Sequence, residues 1–238
     1  MSQKIFVGTI IILLMILCLS MSSFAETEAI GSSLLDYQDM FSGAYTITEA
    51  VNLFNKPAYT GTVNITNKRG IYKLLWNIPS SPRYEGIGIV IDDILCVGWG
   101  TGGNYGVVVY KVDGGKLKGK WTASNLESIG TEDLEGPPGL SGVYRITSSI
   151  SPTTHKGYPG NVTINKNGDV YLVTWLLESE SYSGVGILED NLLIIGWGVG
   201  QTTGVVYYRF KDRILLGRWT IPQATTIGIE NLSRLKRD

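Results

Sequence analysis

Two cysteines and one histidine are all that the 238 residues contain, and these shortages close off several kinds of chemistry. Cys18 falls in an apolar leader, so Cys96 is left alone in the body of the chain and no internal disulfide can form. Cys96 stands where the second half of the sequence carries Ile194, which assigns it a buried apolar place rather than a nucleophile's. Zinc of the Cys/His type is excluded by ligand count. Asp190-Asn191 lacks the spaced oxygen ligands of an EF-hand loop. His155 sits in the loop Ser151-Pro-Thr-Thr-His-Lys-Gly157, with no cysteine or carboxylate close in sequence to make a nucleophile–base pair. No cofactor and no metal are expected.

An excess of one charge is missing too. The chain carries 20 basic and 21 acidic residues, which gives no reason to expect nucleic acid or an anionic membrane as partner. The basic finish Arg234-Leu-Lys-Arg237 reads as a solvated tail. Helical periodicity is absent outside the first 25 residues. There, Lys4 precedes an apolar run from Ile5 to Leu19, and Ser23-Phe24-Ala25 sets small residues at −3 and −1 of a cleavage point. A signal peptide over 1–25 is therefore expected, leaving no stable membrane anchor and placing the protein in the periplasm or outside the cell. Met15-Ile-Leu17 ahead of Cys18 does not fit a lipidation site.

What the sequence has in abundance is itself, written twice. Tyr72-Lys-Leu-Leu-Trp76 returns as Tyr171-Leu-Val-Thr-Trp175, and Leu95-Cys-Val-Gly-Trp-Gly100 as Leu193-Ile-Ile-Gly-Trp-Gly198. Leu117-Lys-Gly-Lys-Trp-Thr122 returns as Leu215-Leu-Gly-Arg-Trp-Thr220, so all six tryptophans belong to the duplication. After a lead-in over 26–40, the first repeat spans 41–136, a linker 137–139, and the second repeat with its basic tail 140–238. Within each repeat, short runs of period-two alternation are broken by Gly, Pro, Asn and Asp, the pattern of short strands in an antiparallel meander.

The predicted strands are 43–48, 59–66, 71–78, 84–91, 94–100, 105–112, 116–122 and 129–134. The second set is 142–147, 158–165, 170–177, 182–189, 192–198, 204–210, 214–220 and 227–232. Glycine-rich strands bend easily and closure removes exposed edges. The expected fold is thus all-β, a tandem duplication of a roughly 95-residue meander of seven to eight strands forming two small β-barrels, one per repeat. One larger barrel or sandwich shared by both repeats is the alternative. Leu172, Ile214 and Leu216 replace lysines of the first repeat, which nominates that outer face as the contact between units.

Alternation turns most Trp and Tyr residues inward as core. Gly86 and Gly88, in line with Tyr84, leave room for a ring such as Trp76 or Trp99. Asp92-Asp93 and Asp190-Asn191 read as hairpin turns. The Gly-rich Gly98-Trp-Gly-Thr-Gly-Gly103 joins two predicted strands rather than opening a helix, so it is no phosphate cradle. Asp92/Asp190 and Glu132/Glu230 match between copies and are the candidates for an acid pair, but the turn explains the aspartates and the glutamates fall at repeat ends. A non-enzyme is expected. Trp99, Trp197, Tyr105 and His155 are the candidate ligand-binding residues, close to the loops where the copies differ: 52–58, 151–157, 101–105 and 199–203.

Tyr-x-Gly-x-Val-x-Ile at 59–65 and 158–164, with Tyr-x-x-x-Trp, Tyr-x-Gly-x-Gly-Ile and Leu-x-Gly-x-Trp-Thr, resembles a group of small exported bacterial β-repeat proteins, some labelled fibronectin-binding. The resemblance covers 41–232 and implies an extracytoplasmic bacterial setting and a binding role toward an unknown protein or glycan. It carries over no site residue. A further likeness to avidin and lipocalin barrels rests on meander topology and implies, as the alternative function, a carrier of a small apolar ligand. A hydrolase of extracellular polymers is the third reading.

Overall fold

The structure is a computed structural model that describes residues 39–51, 53, 59–79, 81–199 and 202–235. The expected signal peptide, most of the lead-in, most of the 52–58 loop and the last three residues of the basic tail lie outside the described residues. All regular structure among the described residues is β-strand. In the first repeat the strands are β1 Gly43–Val51, β2 Thr62–Lys68, β3 Ile71–Asn77, β4 Tyr84–Ile91, β5 Ile94–Gly100, β6 Asn104–Asp113, β7 Lys116–Ala123 and β8 Gly130–Glu135. In the second they are β9 Gly142–Ile150, β10 Gly160–Asn167, β11 Val170–Leu177, β12 Ser181–Glu189, β13 Leu192–Val199, β14 Thr203–Lys211, β15 Ile214–Thr220 and β16 Gly228–Arg234. Every predicted strand is present.

The strands close into two antiparallel barrels of eight, and there is no shared larger barrel. Their membership is not one repeat each. The first barrel runs β1-β16-β15-β14-β5-β4-β3-β2, and the second β10-β11-β12-β13-β6-β7-β8-β9. Each repeat thus keeps its first five strands together and lends its last three to the other barrel. The repeats meet at two seams in each barrel: β5 on β14, pairing Gly98 with Val205, and β1 on β16 in the first, and β13 on β6, pairing Gly196 with Val107, and β8 on β9 in the second.

The exchange follows from how closely the barrels lie at the connections. The β5–β6 connection is only 101–103, with Gly102 and Gly103 at φ 107° and 76°, values that L side chains rarely adopt. It meets its counterpart through Thr101 N–H donating to the Thr202 carbonyl at 3.2 Å. Just inside, Gly98 of β5 faces Gly106 of β6, and Gly196 of β13 faces Gly204 of β14, with backbone against backbone.

Strands at this contact are buried on both faces, which is why they read as continuous apolar runs. In β5, Leu95, Val97 and Trp99 face the barrel interior, while Ile94 and Cys96 join Val107, Val109, Ile194 and Val205 in a core between the barrels. Cys96 is fully buried and its thiol pKa is raised by that burial, as the structural reading expects. Leu172 packs against this core, but Ile214 and Leu216 do not: each is 37% exposed, on the outer face of β15. The contact is made instead by the outward residues of β4–β6 and β12–β14. Arg209 of the first barrel clips its rim, meeting Glu189 of the second at 3.1 Å and Asp190 beside it.

At the end of each barrel away from the tryptophans, rings and aliphatics fill the interior. Tyr45, Tyr72 and Leu95 are fully buried in the first barrel, with Phe41 edge-on to Tyr72 at 6.0 Å. Both hairpins carry an aspartate at positive φ, Asp92 at 54° and Asp190 at 52°, a conformation that Asp tolerates in tight turns.

Exchange has a direct mechanical consequence. The joint at 136–141 links β8 to β9, and each barrel draws strands from both sides of it. Cutting the chain there, by an engineered protease site, is expected to leave both halves together. They should co-elute on native size exclusion and separate only in denaturant; independent elution would contradict the strand order.

Candidate functional site

At the tryptophan end of each barrel the described residues leave the interior unfilled. The first barrel opens into a cavity of about 210 Å³ and the second into one of about 510 Å³. The two cavities are built from matching residues, and each takes them from both repeats.

Glu230 lies at the base of the first cavity. It comes from β16, where the burial pattern alternates strictly and turns Gly228, Glu230 and Leu232 inward. The residue is only 4% exposed. Its carboxyl accepts from Trp76 Nε1 at 2.9 Å, from the Tyr59 hydroxyl at 2.6 Å and from the Tyr208 hydroxyl. Glu132 of β8 repeats this in the second barrel, accepting from Trp175 Nε1 at 3.0 Å and from the hydroxyls of Tyr110 and Tyr158. Burial pushes the Glu132 carboxyl above the usual carboxylate range, against the pull of those three donors. Burial also raises the pKa of all four phenols, and the adjacent carboxyl raises it further, so each stays a donor at neutral pH.

Above each carboxyl stands a wall of half-buried rings. In the first barrel Tyr84 meets Trp99 at 5.5 Å, Trp99 meets Trp219 at 6.5 Å, and Trp219 meets Tyr59 at 6.2 Å, forming one chain of rings. In the second barrel the pairs are Tyr182–Trp197 at 5.4 Å and Trp121–Tyr158 at 6.4 Å, around the larger cavity. Glycines directly across the strand make room for these rings. A methyl on Gly204 would fall 2.4 Å from the Trp99 ring, and one on Gly106 would fall 2.5 Å from Trp197. Gly228 and Gly130 do the same for Trp219 and Trp121. Gly86 leaves its space to Trp76, as the sequence suggested.

The rings therefore divide into two groups. Tyr72, Tyr110, Tyr208, Trp76 and their counterparts are core, as expected. Trp99, Trp121, Trp197 and Trp219 are only half-buried and line the mouths, a correction to the reading of Trp121 and Trp219 as packing. The indole N–H groups of Trp219 and Trp121 are buried without a hydrogen-bond acceptor, the latter with the Tyr158 hydroxyl beside it but outside bonding geometry.

Of the four candidate ligand-binding residues, the structure brings Trp99 and Trp197 into the cavities, one in each. Tyr105 goes elsewhere: it is 6% exposed and packs with Ile71 and Ile87 outside both mouths. His155 is exposed on its loop at φ 55° and does not line the cavity, although Thr154 and Lys156 on either side do. The loop 151–157 is thus at the mouth of the second barrel, where a difference between copies can shape the entrance. Glu132 and Glu230 do not form an acid pair, because they lie in different barrels. They were available to sequence reasoning as ligand-contact residues through their matched positions and the inward alternation of the eighth strand.

Comparison with protein-family models, curated proteins and solved structures finds no match to this chain.

Proposed function

We propose that this is an exported, non-enzymatic binding protein that takes a small molecule, or a small group presented by a protein or glycan, into each of its two barrel mouths. One observation carries this reading: a buried carboxyl under an aromatic wall, built twice from different halves of the chain. Packing can explain a repeated core. It does not explain two mouths that the described side chains leave unfilled. A few fixed polar groups at the base of an apolar cleft are the usual make-up of a small-molecule site. The smaller cavity is below the span of drug-sized pockets, roughly 300–1,000 Å³, and the larger lies within it. The leader pattern of residues 1–25 supports export.

All six tryptophans line the two cavities, so intrinsic fluorescence is the natural readout. Titration with small neutral, anionic and cationic compounds is expected to give a saturable change with two sites per chain, and leucine at Trp99 or Trp197 should remove one site each. Absence of any saturable change across all three charge classes would sink the proposal.

A further inference from the structure

The chemistry of the mouths narrows the ligand, and the narrowing rests on the binding reading above. Each base holds one carboxyl group whose protein partners are all neutral: two phenols and an indole. Among the described residues neither Glu230 nor Glu132 makes an ion pair, and no lysine, arginine or histidine lines the first mouth. Three donors occupy three of the roughly four acceptor sites that a carboxylate offers. A buried anion held only by neutral donors is costly and lacks a counter-charge.

The walls point the same way. The faces of aromatic rings carry negative potential and attract a cation within about 6 Å of the ring centre, most strongly for tryptophan. The first mouth sets Tyr59, Tyr84, Trp99 and Trp219 around the space above Glu230. The second repeats the set and adds Glu178 and Glu180 at its rim, against Lys156 as the one base among its described lining residues. An anion would face a buried carboxyl in either mouth. A neutral apolar guest would fill the cavity and leave that carboxyl uncompensated. A compact organic cation is attracted by walls and base together.

We propose that both mouths bind the head group of an organic cation, an alkylammonium or quaternary ammonium, with Glu230 or Glu132 as its counter-charge and the mouth tryptophans as its walls. The smaller first mouth takes the head with short substituents. The second, more than twice the volume, admits a larger attached group.

Isosteres separate charge from shape. The full chain would be titrated, by tryptophan fluorescence and by calorimetry, with choline, with its uncharged carbon isostere 3,3-dimethylbutan-1-ol, with 3,3-dimethylbutanoate, and with benzyltrimethylammonium as a bulkier cation. Choline is expected to bind at least about tenfold more tightly than the isosteric alcohol, and the carboxylate not to bind. Benzyltrimethylammonium should prefer the second mouth. Glu230→Gln and Glu132→Gln should each abolish the charge preference at one mouth. Equal or tighter binding of the neutral alcohol overturns the cation inference and leaves the small-molecule reading standing. Binding of none of the charge classes overturns both. The wild-type comparison decides even if a glutamine variant fails to fold.

Discussion

Alanine at Gly98 is expected to destabilise the protein by about 3 kcal/mol or more, a large share of the roughly 5–15 kcal/mol that holds an ordinary domain folded. The added methyl would sit 1.8 Å from the Gly106 carbonyl oxygen and 2.5 Å from its carbon. Both belong to backbone of the other barrel, so no side chain can swing aside and the barrels themselves must part. Gly98 has no positive φ, and alanine there would otherwise gain about 0.4–1 kcal/mol from a less flexible unfolded chain. The clash is far larger than that gain. Gly196→Ala should behave alike, since its methyl would lie 2.0 Å from the Gly204 oxygen. Gly139→Ala, with nothing within 4 Å and ordinary φ, is the control and should be neutral or slightly stabilising. Urea unfolding of the three variants checks the ranking; a Gly98→Ala protein as stable as wild type would mean that the two barrels do not meet at these glycines.

Glu230→Ala is expected to have the next largest effect, a loss of about 2–4 kcal/mol together with ligand binding in the first mouth. Three donors lose their common acceptor, and each buried unsatisfied group costs about 1–3 kcal/mol. The sum is discounted because the cavity opens to solvent, and water can reach at least the half-buried Tyr59. Glu230→Gln should cost no more than about 1 kcal/mol, since its carbonyl oxygen still accepts and a phenol hydroxyl can turn to accept from its amide. Thermal unfolding distinguishes the two. If alanine and glutamine cost the same, the hydrogen-bond network is not what holds Trp76 and Tyr208 in place.

The strands were legible because inside and outside alternate along them, and the turns because Asp92 and Asp190 mark them. Strand allocation was not legible, for a local reason. β6 and β14 present nearly the same residues at the same register: Val107 answers Val205, Val108 answers Val206 and Tyr110 answers Tyr208. β5 can therefore pair with either at almost equal side-chain cost. The choice is made by the three-residue connections and the Gly98–Gly106 approach, which are tertiary features. The mouth was half legible. Trp99 and Trp197 were nominated from their place beside variable loops. Tyr105, one strand-turn away, points into a different cluster. Glu132 and Glu230 were weighed only as an acid pair, because the sequence does not show which barrel each one enters.

The interlocked strand order also bears on how such a protein can change over time. One repeat contains every strand type a barrel needs, so two copies of a one-repeat ancestor could have assembled this pair of barrels as a dimer. The end of β8 would then already lie beside the start of β9, where the joint 136–141 now runs. The equivalent seam in the first barrel, β1 on β16, has no such link. Once fused, neither mouth has a repeat of its own: Trp99 and Glu230 serve one, Trp197 and Glu132 the other. Replacing a whole repeat by recombination would alter both ligand sites at once, whereas divergence between them must accumulate residue by residue.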